Sequence, residues 1–115
     1  MADDLRRMKR RHLIYYLDVY EVGTDKLLGH LVDITTKGIK LVSKDPLPIG
    51  TDYAMKMILP EGYFDERELL LQGRAMWSSN DINPDFYDTG FEIPEIDGKT
   101  IDIIKELIEA IGFMN

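Results

Sequence analysis

Six short stretches of this 115-residue chain, most of them alternating apolar and polar residues with a period of two, are cut apart by glycine, proline and asparagine. That spacing builds strands, because side chains on an extended backbone point alternately to opposite faces. The stretches span residues 13–21, 27–34, 39–42, 53–59, 69–77 and 89–93, and each is too short for a stable helix of its own. At Thr100 the period changes: Ile101, Ile104, Leu107, Ile108 and Ile111 recur at helical spacing, with Asp102, Lys105, Glu106 and Glu109 on the opposite side. Asp97 or Thr100 is the N-cap in this reading and Gly112 the stop, giving a helix over 99–112. The expected fold is mainly β: a six-stranded antiparallel barrel, or a sandwich, with one C-terminal helix over its open side or end.

Punctuation between the strands agrees with this reading. Gly23-Thr24-Asp25-Lys26 reads as a hairpin turn, Asp45-Pro46-Leu47-Pro48-Ile49-Gly50 as a longer turn, and Pro60 and Pro94 as strand stops. Gly38 is expected to supply a positive φ at a tight connection. Residues 80–88, with Asn83-Pro84, read as a polar loop. The chain length suits a single domain over 13–115, preceded by a flexible basic arm over 1–12.

Composition narrows the chemistry. The chain has no cysteine and only two histidines, His12 and His30, which argues against a zinc enzyme. No apolar run reaches the roughly 20 residues that cross a bilayer, and no signal-peptide core follows the N-terminus, so the expected location is the cytoplasm, without membrane insertion. A net charge of −7 argues against specific DNA or RNA binding, which depends on many cationic contacts to phosphate. The charge is uneven. Residues 1–12 hold five Lys/Arg and two Asp, so a short cationic segment precedes an acidic body and fits a small anionic ligand better than a long polyanion. The bland alternative is a solvated basic tail. No nucleophile–base pair, Walker-type glycine loop or metal cluster appears at motif spacing, and the chain reads as a non-enzyme with no cofactor.

Two local motifs stand out: the arginines Arg6, Arg7, Arg10 and Arg11, and Asp33-Ile34-Thr35-Thr36-Lys37-Gly38 one hairpin later. With Gly73-Arg74-Ala75-Met76-Trp77 and Gly90-Phe91 downstream, the chain resembles the PilZ domain family, bacterial receptors for cyclic di-GMP, along nearly its whole length. The family pattern is Arg-x-x-x-Arg followed by Asp/Asn-x-Ser-x-x-Gly, and Thr35 stands here where serine is usual.

The resemblance implies a six-stranded split barrel, and a cyclic di-GMP site formed by Arg6, Arg7, Arg10, Arg11, Asp33, Thr35 and Gly38. Arginine's planar fork matches both the Hoogsteen edge of guanine and phosphate oxygens, whereas lysine is a point charge. Arg7 and Arg11 take the motif positions, with Arg6 and Arg10 as the alternative register; Asp33 would accept from guanine N1–H and N2–H. A third register pairs Arg11 with Tyr15, and a phenol has no fork. The implied function is a nucleotide sensor whose arm orders on the ligand and signals to a partner protein. The alternative is a degenerate domain that binds no nucleotide and acts as a protein adaptor, for which Phe64, Phe86, Tyr87, Phe113 and Met114 are the candidate apolar patch. Trp77 reads as a core or barrel-end aromatic rather than a stacking platform. At about 3.3 Å per residue, the hairpin should return the Asp33 turn to the arm's end of the barrel.

Overall fold

Alternating strands each have one dry face, and here six of them bury it by closing on one another. The fold is that of a computed structural model, which describes residues 17–60, 64–94 and 96–111. Its elements are β1 (Asp18–Glu21), β2 (Leu27–Ile34), β3 (Gly38–Ser43), β4 (Asp52–Ile58), β5 (Glu68–Asn80), β6 (Tyr87–Glu92) and α1 (Gly98–Ile111). The strands form a closed barrel in the order β1-β2-β3-β6-β5-β4, with β4 returning to β1 and every neighbouring pair antiparallel. Strand direction therefore alternates around the wall. Turns 22–26, 44–51 and 81–86 gather at one end, called here the loop end, while turn 35–37, the end of β4, the start of β5 and the end of β6 lie at the other.

The core follows the period-two pattern. In β4, Tyr53, Met55 and Met57 point inward while Ala54 and Lys56 do not, and Val19, Leu31, Leu41, Met55 and Met57 are fully buried. Each such side chain contributes roughly 1.5–3 kcal/mol of transfer free energy. α1 adds Ile103, Ile104 and Leu107 to the core; Ile104 and Leu107 belong to the expected apolar stripe, but Ile103 does not, and Ile101 and Ile108 are only partly buried, so the buried face is turned toward Ile103. The strands outrun their apolar residues: β5 continues to Asn80 and β6 begins at Tyr87, so the expected loop over 80–88 shrinks to 81–86. Polar Ser78, Ser79 and Asn80 carry no hydrophobic signal, yet their backbones pair with Thr89, Asp88 and Tyr87, and the Ser78 and Thr89 hydroxyls meet at 3.1 Å. The barrel wall thus extends past the core as a hydrogen-bonded ribbon. The first strand starts at Asp18 among the described residues; its expected positions 13–16, the basic arm and the Gly112 stop lie outside them.

Asp97 is the helix N-cap. Its Oδ1 accepts the Thr100 backbone N–H at 2.7 Å, and its carbonyl accepts Ile101 N–H. The Thr100 backbone N–H first, and its hydroxyl second, hold the Asp97 carboxyl below its ordinary value. A depressed acid stabilises the fold above its unfolded pKa and loses that contribution as pH falls through the folded one. Asp97→Ala is accordingly expected to lower the melting temperature at neutral pH. Melting curves of wild type and variant should converge on acidification below the carboxylate range, and a gap independent of pH would refute the charged cap.

Candidate functional site

Two β-bulges shape the outer wall near the turn 35–37. Between Leu31 and Asp33 the β2 register slips against β3, making Val32 the extra residue and leaving Asp33 opposite Lys40 and exposed to solvent. In β5 the slip falls between Ala75 and Trp77, so that Met76 is the extra residue and both Met76 and Trp77 face outward, 48% and 44% exposed. Bulges re-aim side chains in this way at the cost of one unpaired residue. Trp77 is therefore neither in the core nor at a barrel end, as its residue type alone suggests; the bulge puts it on the outside wall. There its ring covers Gly90, where an added Cβ would fall on Trp77 Nε1 and Cε2.

The turn itself is built by Thr35. Its Oγ1 accepts the backbone N–H groups of Lys37 at 3.1 Å and Gly38 at 3.2 Å, while Thr35 N–H donates to the Gly38 carbonyl at 2.9 Å. The motif hydroxyl thus holds the loop's shape, a role threonine fills as serine does. Lys37 carbonyl accepts Ile93 N–H at 2.9 Å, which ties the turn to the chain beyond β6.

Gly38 departs from expectation. Positive φ occurs among the described residues at Gly23, Gly50 and Asp25, and not at Gly38. Glycine is required there for space: a Cβ would collide with the backbone carbonyl oxygen of Phe91 on the neighbouring strand β6.

Asp33 Oδ1 accepts the N–H of Ile34 at 2.9 Å, which fixes the carboxylate's orientation, and among the described residues no hydrogen bond to Oδ2 is found. Asp33, Thr35 and Gly38 line a shallow depression of about 360 Å³ together with Lys40, Met76, Trp77 and Gly90. Glu92 lines it too, so the depression offers a fixed acceptor, a second carboxylate, one cation and an apolar aromatic wall, which is a surface suited to a planar ligand that donates hydrogen bonds. Of the residues expected at the site, Asp33, Thr35 and Gly38 come together, whereas Arg6, Arg7, Arg10 and Arg11 lie outside the described residues. Leu17 carbonyl accepts Leu31 N–H at 2.9 Å, so β1 is entered beside β2 two residues short of Asp33. Lys40 and the Met76–Trp77 wall were not among the expected ligand contacts. Their signal was the Gly-x-Ala-x-Trp strand itself, whose tryptophan turns outward only because of a bulge that no local spacing reveals.

Elsewhere on the barrel, His30 Nδ1 sits 2.9 Å from Asp18 Oδ1, close but not aligned as a hydrogen bond. Among the described residues no group of three or more His, Cys, Asp or Glu could hold a metal ion, and no helix is long and apolar enough to cross a membrane.

Comparison with known proteins agrees with the architecture. The inhibitor of motility MotI/DgrA of Bacillus subtilis superposes with a TM-score of 0.66 at 21% identity, over 82% of this chain and 46% of that one. The PilZ domain of Escherichia coli YcgR, solved with c-di-GMP, superposes at 0.64 with 12% identity, over 84% of this chain and 80% of that one. Klebsiella MrkH matches more loosely, with a TM-score of 0.53 at 9% identity over 82% of this chain and 39% of that one. The chain spans about half the length of MotI, and no curated protein matches it by sequence. The sequence profile of the PilZ domain matches residues 4–110, nearly the whole chain, and the chain belongs to the PilZ domain family.

Proposed function

We propose that this domain is a cyclic di-GMP receptor rather than an enzyme, and that nucleotide binding changes the conformation of its N-terminal segment so that a partner protein can read the change. The observation that carries the reading is the juxtaposition of the exposed Asp33 carboxylate with the Trp77–Gly90 wall in one depression. A guanine seated there would present N1–H and N2–H to Asp33 and a ring face to Trp77. Arg7 and Arg11, or Arg6 and Arg10, would close over the phosphates and the Hoogsteen edge, coming from the chain that enters β1 beside β2. Coupling follows from differential affinity, since a ligand that contacts the arm favours its ordered state.

Trp77 is the only tryptophan in the chain, which makes the site self-reporting. Titration with cyclic di-GMP is expected to change Trp77 emission saturably, in step with the heat measured by calorimetry. Trp77→Ala should weaken binding by about tenfold, given roughly 1–3 kcal/mol for one base stacked on an aromatic. Absence of both heat and fluorescence change at high micromolar nucleotide would rule out a physiological receptor.

A further inference from the structure

Cross-strand pairing sets four residues of the outer wall in one row over β2, β3, β6 and β5: Asp33 stands opposite Lys40, Lys40 opposite Gly90, and Gly90 opposite Trp77. Neighbouring strands lie roughly 4.8 Å apart, so the row carries its side chains at about that interval. Gly90 has no side chain, and the Trp77 ring lies over it. The row therefore presents a carboxylate, then an ammonium, then an aromatic ring, all lining the same depression.

An aspartate and a lysine directly opposed on a sheet are within reach of each other. Here they stay apart. Among the described residues the lysine and arginine ion pairs given by the geometry join Lys56 to Asp25, Arg74 to Asp52 and Lys99 to Glu66, and none joins Lys40 to Asp33, whose carboxylate is turned to the Ile34 amide. Two further carboxylates lie near. Glu92 belongs to the next row, opposite Arg74, whose guanidinium donates to Asp52 at 2.8 and 3.2 Å and also feels the Glu92 charge. Asp88, one residue pair along from Lys40 at Val42, feels the ammonium, but burial first and Asp81 second hold its carboxyl above the ordinary value, so its surroundings work against the charge that would bind Lys40.

A carboxylate and an ammonium side by side and unjoined are complementary to a group that donates on one side and accepts on the other. The lactam edge of a 6-oxopurine is such a group, with a donor at N1–H and an acceptor at the adjacent O6. A 6-aminopurine carries the reverse order, an acceptor at N1 and a donor at N6, and would set acceptor against Asp33 and donor against Lys40. Resting on the nucleotide reading of this depression, we propose that Lys40 is a specificity-determining residue: it donates to guanine O6 while Asp33 accepts from N1–H and N2–H, and the pair selects guanine over adenine. The other place for an ammonium in such a site is a phosphate oxygen, which would carry no base preference.

The test is calorimetry of the full chain, wild type and Lys40→Met, with cyclic di-GMP and with its 6-thioguanine analogue, in which sulfur, a weak acceptor, replaces the oxygen in question. Lys40→Met is expected to weaken cyclic di-GMP by about tenfold, as loss of one hydrogen bond from a charged donor implies. The same substitution should change the thio analogue by less than about twofold, because the contact is already gone. Cyclic di-AMP should bind wild type at least about a hundredfold more weakly than cyclic di-GMP, since its edge leaves both protein groups unpaired. Equal losses for cyclic di-GMP and the thio analogue would assign Lys40 to a phosphate and overturn the proposal. So would a Lys40→Met variant that binds cyclic di-GMP as wild type does, or equal affinity of wild type for cyclic di-AMP. Each of those outcomes leaves a nucleotide bound and the depression's reading standing, whereas a wild type that binds none of the three ligands removes that reading and the role of Lys40 with it.

Discussion

Gly38→Ala is expected to be the most damaging single-methyl substitution near the site. The added Cβ meets a backbone carbonyl, that of Phe91, which no side-chain rotation can move away. Six consecutive β3–β6 pairs, Gly38 with Glu92 through Ser43 with Tyr87, fix the two strands, so relief requires separating them at the ladder's end. Overpacking of this kind costs about 2–3 kcal/mol. For a domain of this size that corresponds to a fall in melting temperature of about 10–20 °C. Gly98→Ala is the matching control: nothing lies within 4 Å of its added Cβ, and it opens a helix. It should leave stability unchanged or raise it by up to about 1 kcal/mol, since alanine is the better helix former. Equal melting temperatures for the two variants would show that the β3–β6 contact is not as tight as described.

Asp33→Ala is expected to produce the opposite combination, an intact fold with no measurable nucleotide affinity. Asp33 is exposed, and its described hydrogen bond is to the amide of the next residue, so the barrel loses little when the carboxylate goes. The nucleotide would lose two hydrogen bonds to a charged acceptor, each typically worth about 1.5–3 kcal/mol. A drop in affinity of at least a hundredfold follows, and Arg7→Ala and Arg11→Ala should each weaken binding by at least tenfold for the same reason. Calorimetry at matched ionic strength measures all three. If Arg6→Ala and Arg10→Ala are the damaging pair instead, the register of the arginine motif shifts by one. If Asp33→Ala binds as wild type does, the depression is not the guanine site.

The two experiments probe one turn in different ways, which bears on how a motif is read. The spacing Asp33-x-Thr35-x-x-Gly38 holds three residues whose jobs differ: an outward acceptor, a hydroxyl that closes the loop on two backbone amides, and a glycine beside a carbonyl. Thr35 substitutes for serine without losing the loop, because the oxygen makes those bonds and the added methyl takes no part in them. In the sequence the three look like a single ligand-binding unit. Gly38 in particular reads as a residue chosen for its backbone angle, and only the neighbouring strand gives the actual reason.

Local periodicity determined the six strands, the amphipathic helix and the inward residues of β4, because the alternation of a strand and the turn of a helix are properties of the chain itself. Motif spacing put Asp33, Thr35 and Gly38 at one strand-to-strand connection, on the end of β2, in the turn and at the start of β3, and residue type marked Asp97 as a possible cap. Tertiary structure decided the rest. Barrel closure brought β6 alongside both β3 and β5, and so set Gly90 under Trp77 and Phe91 against Gly38. The bulge at Met76 moved an aromatic that looks like core material to the outer wall. Contacts of that kind depend on which strands become neighbours and with what register, and a single strand's own residues do not encode its partner's offset.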